Sequence, residues 1–153
     1  MEKIINKYAY LEAAFVGLVL NVVLTHIQLA FIESPETSKA VSDFISSSPY
    51  SYIAAFAVLV AVAIPIGEEI VFRKLTWDFM SKFIPEGLVA FLIAVGFAFI
   101  HAPDSAIFLL PFAVYLSYLR YSTGSVKLCM AAHIAFNTTG LLLPMVIGWT
   151  NLT

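Results

Sequence analysis

Long apolar stretches constrain this chain more than any other feature. A helix needs about 20 mainly apolar residues to cross a bilayer core, and such stretches occupy residues 8–32, 50–72, 87–101, 105–121 and 125–149. Charged residues make up only 12% of the chain, whereas a soluble domain carries about 25%. The sequence therefore predicts an all-α, polytopic transmembrane helical bundle of about five spans, with residues 1–153 forming a single membrane-embedded domain.

Two polar connections complete this prediction. Residues 33–49 are rich in Ser and Thr, which favours a loop containing a short helix. In residues 74–85, Trp77 and other apolar side chains lie among polar ones, a pattern typical of an amphipathic helix at a membrane surface. We expect this segment to lie on the surface, beyond the end of the second span.

The basic residues predict the orientation. Of the eight Lys and Arg residues, an N-terminus in the cytoplasm leaves only Lys39 in an outer loop. The other seven then lie on the cytoplasmic side: Lys3, Lys7, Arg73, Lys74, Lys82, Arg120 and Lys127. Such an excess satisfies the positive-inside rule, so a cytoplasmic N-terminus is predicted.

Charge and cysteine content exclude some functions. The formal net charge is −2, and no basic patch could neutralise phosphates, so nucleic acid is not an expected partner. The single cysteine, Cys129, excludes an internal disulfide and a cysteine-based zinc site. The expected surroundings are the lipid bilayer.

Ionisable side chains within apolar stretches cost at least about 2.5–3.5 kcal/mol each on insertion scales, and they usually mark a function. Such side chains, with one carboxamide, form three groups here: Glu68, Glu69 and Arg73; His101; and His133 with Asn137. Pro65 removes a helix hydrogen bond just before the first group, which predicts a kink there.

The spacing of these side chains along the sequence indicates which of them share a helix face. Glu69 and Arg73 are four residues apart, so they share a helix face and can form an ion pair. Glu68 projects about 100° away from that face. His133 and Asn137 are also four residues apart, which places the imidazole and the carboxamide on one face.

Three ordered motifs carry a family resemblance: "EEIVFR" at 68–73, "FAFIH" at 97–101 and "HIAFN" at 133–137. They resemble the motifs of the CAAX protease and bacteriocin-processing family of intramembrane endopeptidases. Residues 65–140 are accordingly identified as a family-like catalytic core. The chain departs from the family in having one helix ahead of the first motif and bulky side chains in the fourth span.

The resemblance implies a CAAX-prenyl-endopeptidase-like hydrolase that cleaves a peptide or membrane protein near the bilayer. It implies that the catalytic residues are Glu68, His101, His133 and Asn137. It implies supporting roles for Glu69, Arg73 and Phe97. Glu68 and His101 are expected to activate a water molecule. His133 and Asn137 are expected to stabilise the oxyanion of the tetrahedral intermediate, where donors are most effective if water is excluded.

The catalytic type stays open at this point. Glu68, His101 and His133 are ligand types found in catalytic zinc sites with an open fourth position, although the spacing H-E-x-x-H is absent. Hydrolysis is therefore either of the glutamate type or assisted by a divalent metal such as zinc, and no other cofactor is implied.

Other functions also stay open. One is a non-catalytic bacteriocin-immunity or membrane scaffold protein of the same family. Another is a small transporter or channel that uses Glu and His as a relay, although the sequence shows no inverted repeat of the kind common in transporters. The short length of the chain favours a prokaryotic origin, and therefore a location in a prokaryotic cell membrane. The sequence specifies neither the oligomeric state nor whether the substrate is prenylated.

Overall fold

The computed structural model describes residues 6–32 and 36–147, with the backbone alone for residues 36–39, 42 and 143–147. The described part is all-α and contains no strand, which confirms the predicted class. Its helices are α1 (Lys7–Phe31), α2 (Glu36–Ser47), α3 (Tyr50–Met80), α4 (Glu86–Phe99), α5 (Pro103–Thr123) and α6 (Val126–Ile147). Three predictions fall outside the described residues: the loop at 33–35, Lys3 as a cytoplasmic residue, and the end of the fifth span at 149.

Helix ends coincide with residues that favour them. The Asn6 side chain accepts a hydrogen bond from the first turn of α1, as N-cap side chains do. Pro49 and Pro85 directly precede α3 and α4, and Pro103 is the first residue of α5, where its missing N–H is not needed. Gly124 ends α5 with φ 73°, a left-handed conformation that suits glycine.

Helix α3 is longer than predicted. It continues without a break to Met80, so the expectation of a surface helix over residues 74–85 is wrong. The reason is packing: Trp77 is only 2% exposed and lies in a cluster with Val89 and Ile93 of α4. Burial of this indole inside the bundle holds the segment as part of α3.

Two stretches of α3, Leu59–Ala63 and Ile70–Thr76, are π-helical and have wider turns than the rest. The first lies just ahead of Pro65, whose ring has no N–H to donate and collides with the carbonyl four residues back. The disruption expected at Pro65 therefore takes the form of a wide turn, a common cause of helix bending. The two wide turns enclose Ile64–Glu69, the segment that carries both glutamates.

Helix α1 approaches α6 closely through its small and polar residues. A Cβ atom added to Gly17 would overlap the carbonyl oxygen of Ala132. Asn21, one turn further along, is 5% exposed and lies against Gly140 of α6. Near the end of α1, Gln28 donates hydrogen bonds to backbone and hydroxyl oxygens at the start of α5. Much of the polar surface of α1 thus faces the bundle.

Three apolar clusters form the core. The largest joins α1, α5 and α6 and includes Phe112 and Leu116. The second joins α4 and α5 around Phe97, and the third joins α3 and α4 at Trp77. The Phe97 and Phe112 rings both make T-shaped contacts with His133, so this imidazole lies where the first two clusters meet.

Within the described residues, two helices, α1 and α3, are long and apolar enough to cross a membrane, and α4 is apolar but shorter. Large apolar side chains also point outward from the bundle, including Phe15, Phe31, Phe91 and Ile107, each more than 60% exposed. Exposed apolar surface on this scale is unusual for a soluble monomer, and lipid chains would cover it.

A glycine pair tests the contact between α1 and α6. We expect Gly17→Ala to destabilise the protein by about 1–3 kcal/mol, because the added methyl group meets backbone that cannot move aside cheaply. Gly96→Ala is the matched control, since a Cβ atom there meets nothing within 4 Å and both changes raise helix propensity equally. Thermal unfolding in detergent should show a lower midpoint for Gly17→Ala alone; equal midpoints would contradict the close approach.

Candidate active site

A deeply buried group of three polar side chains joins α3 to α6. Glu69 and Arg73 form the predicted ion pair, with 3.2 Å between Glu69 Oε1 and Arg73 Nη1, and neither side chain is exposed. His133 Nδ1 lies 2.8 Å from the same carboxylate oxygen. Because an ionised carboxylate can only accept, Nδ1 carries the proton and donates it. We call these three side chains the buried junction.

Arg73 extends the buried junction to α4 and α5. Its Nη2 donates a 3.3 Å hydrogen bond to the carbonyl oxygen of Ala113 in α5. Its guanidinium carbon lies 4.4 Å from the centre of the Phe97 ring in α4, and a cation over an aromatic face is attracted by the electron-rich ring. Helices α3 to α6 therefore all meet at this arginine and its partners.

The second ring nitrogen of His133 faces Glu68. Its Nε2 lies 3.5 Å from Glu68 Oε2. The Glu68 side chain is 24% exposed, whereas that of Glu69 is fully buried. The two adjacent glutamates thus differ in environment: one holds the junction together, and the other faces accessible space beside the imidazole.

His101 joins the site through Phe97. The two ring centres are 4.9 Å apart, and His101 Nδ1 lies 2.7 Å from the Phe97 carbonyl oxygen. Among the described residues, this carbonyl is the only hydrogen-bonding partner of His101. Phe97 is itself fully buried and also touches His133 and Arg73. The four-residue spacing of the second motif therefore places its histidine beside the junction, with no direct contact to Glu68.

The register of α3 against α4 sets the depth of His101. Trp77 shares a cluster with Val89, and nearer the middle of the bundle Phe72 contacts the Phe97 ring, with 5.4 Å between ring centres. Residues later in α4 therefore contact residues earlier in α3. If this register continues for one further turn, about 6 Å, we expect His101 to lie at the level of the two glutamates. The extension of α3 to Met80 provides the length that this register requires.

Asn137 binds the backbone of α3. Its Nδ2 donates a 3.0 Å hydrogen bond to the carbonyl oxygen of Val60, within the first wide turn. A carboxamide nitrogen carries two hydrogens, so this bond leaves Asn137 a second donor. His133 is one turn away on the same helix, and the two side chains both reach α3, as their shared face predicts.

Comparison with protein families gives a match to the model described as type II CAAX prenyl endopeptidase Rce1-like. The match covers residues 50–139, more than half of the 153 residues. The chain belongs to this family. The resemblance indicated by the three motifs is thereby confirmed. Searches of curated proteins and of solved structures found no match.

Membership of the Rce1-like family implies a membrane-embedded protease of the CAAX type, acting on a peptide or protein substrate in the membrane. The matched stretch runs from the first residue of α3 into α6 and contains all three motifs. The buried junction therefore lies wholly inside the part of the chain that carries the family relationship.

The residues considered as zinc ligands are not gathered into a metal site. In the described part of the chain, no three His, Cys, Asp or Glu side chains are grouped so that they could hold a metal ion. Glu68 faces His133, but His101 is hydrogen-bonded to its own helix. As they lie, these three side chains do not fit a three-ligand zinc centre.

An apolar cavity of about 240 Å³ lies apart from the buried junction, between α2, the start of α3 and the end of α6. Its lining includes Ile45, Ile53, Phe56 and Leu141. Among its described lining residues, Tyr50 alone is titratable, so these residues bring no acid and base pair to hydrolysis. The candidate site is therefore the junction and its neighbours.

Sequence reasoning missed one central contact. It paired Glu69 with Arg73 and kept His133 separate, whereas the structure joins all three. Helical spacing could not have found this bond, because it links residues that are 64 positions apart. A usable signal was present, however, since two consecutive glutamates inside an apolar stretch need more than one cationic partner to offset their burial.

The two adjacent glutamates form a matched pair of substitutions. We expect Glu69→Ala to destabilise the protein by about 3–5 kcal/mol, because it leaves Arg73 buried without its anion. Glu68→Ala should leave stability close to that of the parent, since this side chain is partly exposed. Thermal unfolding of both variants in detergent measures the difference. Equal losses, or none in either variant, would refute a structural role for the buried junction.

Proposed function

We propose that this chain is an intramembrane endopeptidase whose catalytic residues are Glu68, His101, His133 and Asn137. The observation that carries the proposal is the placement of Glu68 beside the His133 imidazole, on a scaffold fixed by the buried junction. Family membership supports peptide-bond hydrolysis, and the geometry supports the choice of Glu68, rather than Glu69, as the reactive carboxylate.

Glu68 is suited to activate water. Glu69 is already engaged by a guanidinium and an imidazole, whereas Glu68 has access to space where a water molecule can approach. His101, just beyond the end of α4, would hold that water from the opposite side, and the register of α4 against α3 supports this role. The carboxylate then takes a proton as the water oxygen attacks the scissile carbonyl, a general-base step worth about 100- to 10,000-fold in rate.

His133 and Asn137 are suited to bind the oxyanion. The donor role requires the imidazolium form, in which both ring nitrogens carry a proton. The bond from Nδ1–H to Glu69 then fixes the ring so that Nε2–H faces the same space as Glu68. The second amide hydrogen of Asn137 would come from one turn further along α6. A single preorganised donor of this kind lowers the barrier by about 2.7–4 kcal/mol in a soluble protease. No step requires a metal.

We further propose five spans, α1 and α3 to α6, with the N-terminus in the cytoplasm. In this topology Arg73, Lys74, Lys82 and Arg120 all come to the cytoplasmic half. Asp78 supports the arrangement, because it pairs with Arg120 at 2.9 Å and with Lys74 at 3.9 Å at one end of the bundle. The substrate would then reach the site from the cytoplasmic leaflet.

Substitution of the proposed catalytic residues tests the function. We expect Glu68→Gln, His101→Ala and His133→Ala each to lower the turnover of a farnesylated CAAX peptide in proteoliposomes by about 100- to 10,000-fold. The control is Glu86→Gln, an exposed glutamate at the start of α4, which should cleave as the parent does. Full activity in all three variants would end the proposal, and an unchanged cellular phenotype with Glu68→Gln would favour the non-catalytic immunity or scaffold protein.

A further inference from the structure

The two wide turns of α3 each leave one backbone carbonyl without its usual helical donor. In an α-helix, the N–H of Ile64 would donate to the carbonyl of Val60, but here it donates to that of Leu59. Likewise, the N–H of Trp77 bypasses the carbonyl four residues back and donates to those of Phe72 and Lys74. The second bypassed carbonyl belongs to Arg73 of the buried junction.

A side chain from another helix donates to each bypassed carbonyl. Asn137 of α6 donates to Val60 in the first wide turn. Arg120 of α5 donates through Nε to Arg73 in the second, at 2.8 Å. Side chains that replace a lost ladder bond stabilise the wide turn, because a buried carbonyl without a donor is costly. The two contacts lie on either side of Glu68 and Glu69.

No residue within the second wide turn explains why this stretch is π-helical. The first is explained by Pro65, but Ile70–Thr76 contains neither proline nor glycine. Helix distortions without such residues occur at π-bulges or where a side chain or water enters the helical ladder. Arg120 is the side chain that enters here, and its guanidinium also lies 5.6 Å from the Trp77 ring centre and 2.9 Å from Asp78.

We propose that Arg120 is a positioning residue of the active site, which acts by holding the second wide turn of α3 through the carbonyl of Arg73. The inference rests on the proposed function. Fixing this carbonyl fixes the start of the Arg73 side chain, which in turn holds Glu69 and, through it, His133. A shift of about 1 Å in such a chain of contacts can cost up to about 100-fold in rate.

Two substitutions at position 120 separate the donor from the charge. In Arg120→Gln, the amide nitrogen is attached to the same carbon as the arginine Nε, so the bond to the Arg73 carbonyl is retained. The charge, the Asp78 pair and the bond from Nη1 to the Gly124 carbonyl are lost. In Arg120→Lys, a methylene group takes the place of Nε, so the charge is retained while the carbonyl loses its donor. Asp78→Ala removes the ion pairs of Asp78 with Arg120 and Lys74, leaves the Nε bond in place, and completes the set.

We expect Arg120→Lys to lower kcat for the farnesylated CAAX peptide by about 10- to 100-fold, with KM unchanged. Arg120→Gln and Asp78→Ala should stay close to the parent. The reverse order, with Arg120→Gln and Asp78→Ala impaired and Arg120→Lys active, would show that the charge matters and would overturn the proposal. Equal activity in all three variants, or loss in both position-120 variants, would also overturn it.

Hydrogen exchange gives a readout that does not depend on cleavage. Amides in residues 70–80 should exchange faster in Arg120→Lys than in Arg120→Gln or the parent, because the wide turn loses its donor. If the parent cleaves no peptide, the proposed function fails while this comparison still decides whether Arg120 holds the turn. If Arg120→Lys does not fold, Arg120→Gln decides: parent-like exchange supports the donor role, and faster exchange contradicts it.

Discussion

One carboxylate holds this bundle together. Glu69 pairs with Arg73 and accepts a hydrogen bond from Nδ1–H of His133, and all three side chains are almost wholly hidden from solvent. Buried charges are tolerated only where geometry and hydrogen bonds offset the loss of hydration. The same demand that stabilises the pair therefore fixes the orientation of the imidazole. Structural support and the proposed catalytic geometry are linked through a single oxygen atom.

The helix that carries this carboxylate departs from regular α-geometry on both sides of it. Wide turns at Leu59–Ala63 and Ile70–Thr76 change the direction in which later residues face. This lets one helix present Glu69 to α6, Arg73 to α5 and Trp77 to α4. Short-range irregularity of this kind is frequent at functional sites, and here each irregular turn is matched by a donor from a neighbouring helix.

Much of this organisation could be predicted from the sequence. Apolar stretches and prolines located the helices, and four-residue spacing gave the ion pair of Glu69 with Arg73. The continuation of α3 to Met80 could not be predicted, because it depends on the burial of Trp77 against a helix that is later in the chain. The bond between Glu69 and His133 was missed for the same reason: local patterns fix which face a side chain is on, but not which partner meets it.

A cross-linking measurement of whether residues 68 and 101 lie at the same level tests this arrangement most directly. With Cys129 replaced by alanine, cysteines introduced at positions 68 and 101 can be joined by a short bismethanethiosulfonate reagent in native membranes. We expect efficient bridging of this pair and none between positions 68 and 89, because residue 89 lies beside Trp77, more than two turns of α3 away. Bridging of positions 68 and 89 without bridging of positions 68 and 101 would contradict the shared site.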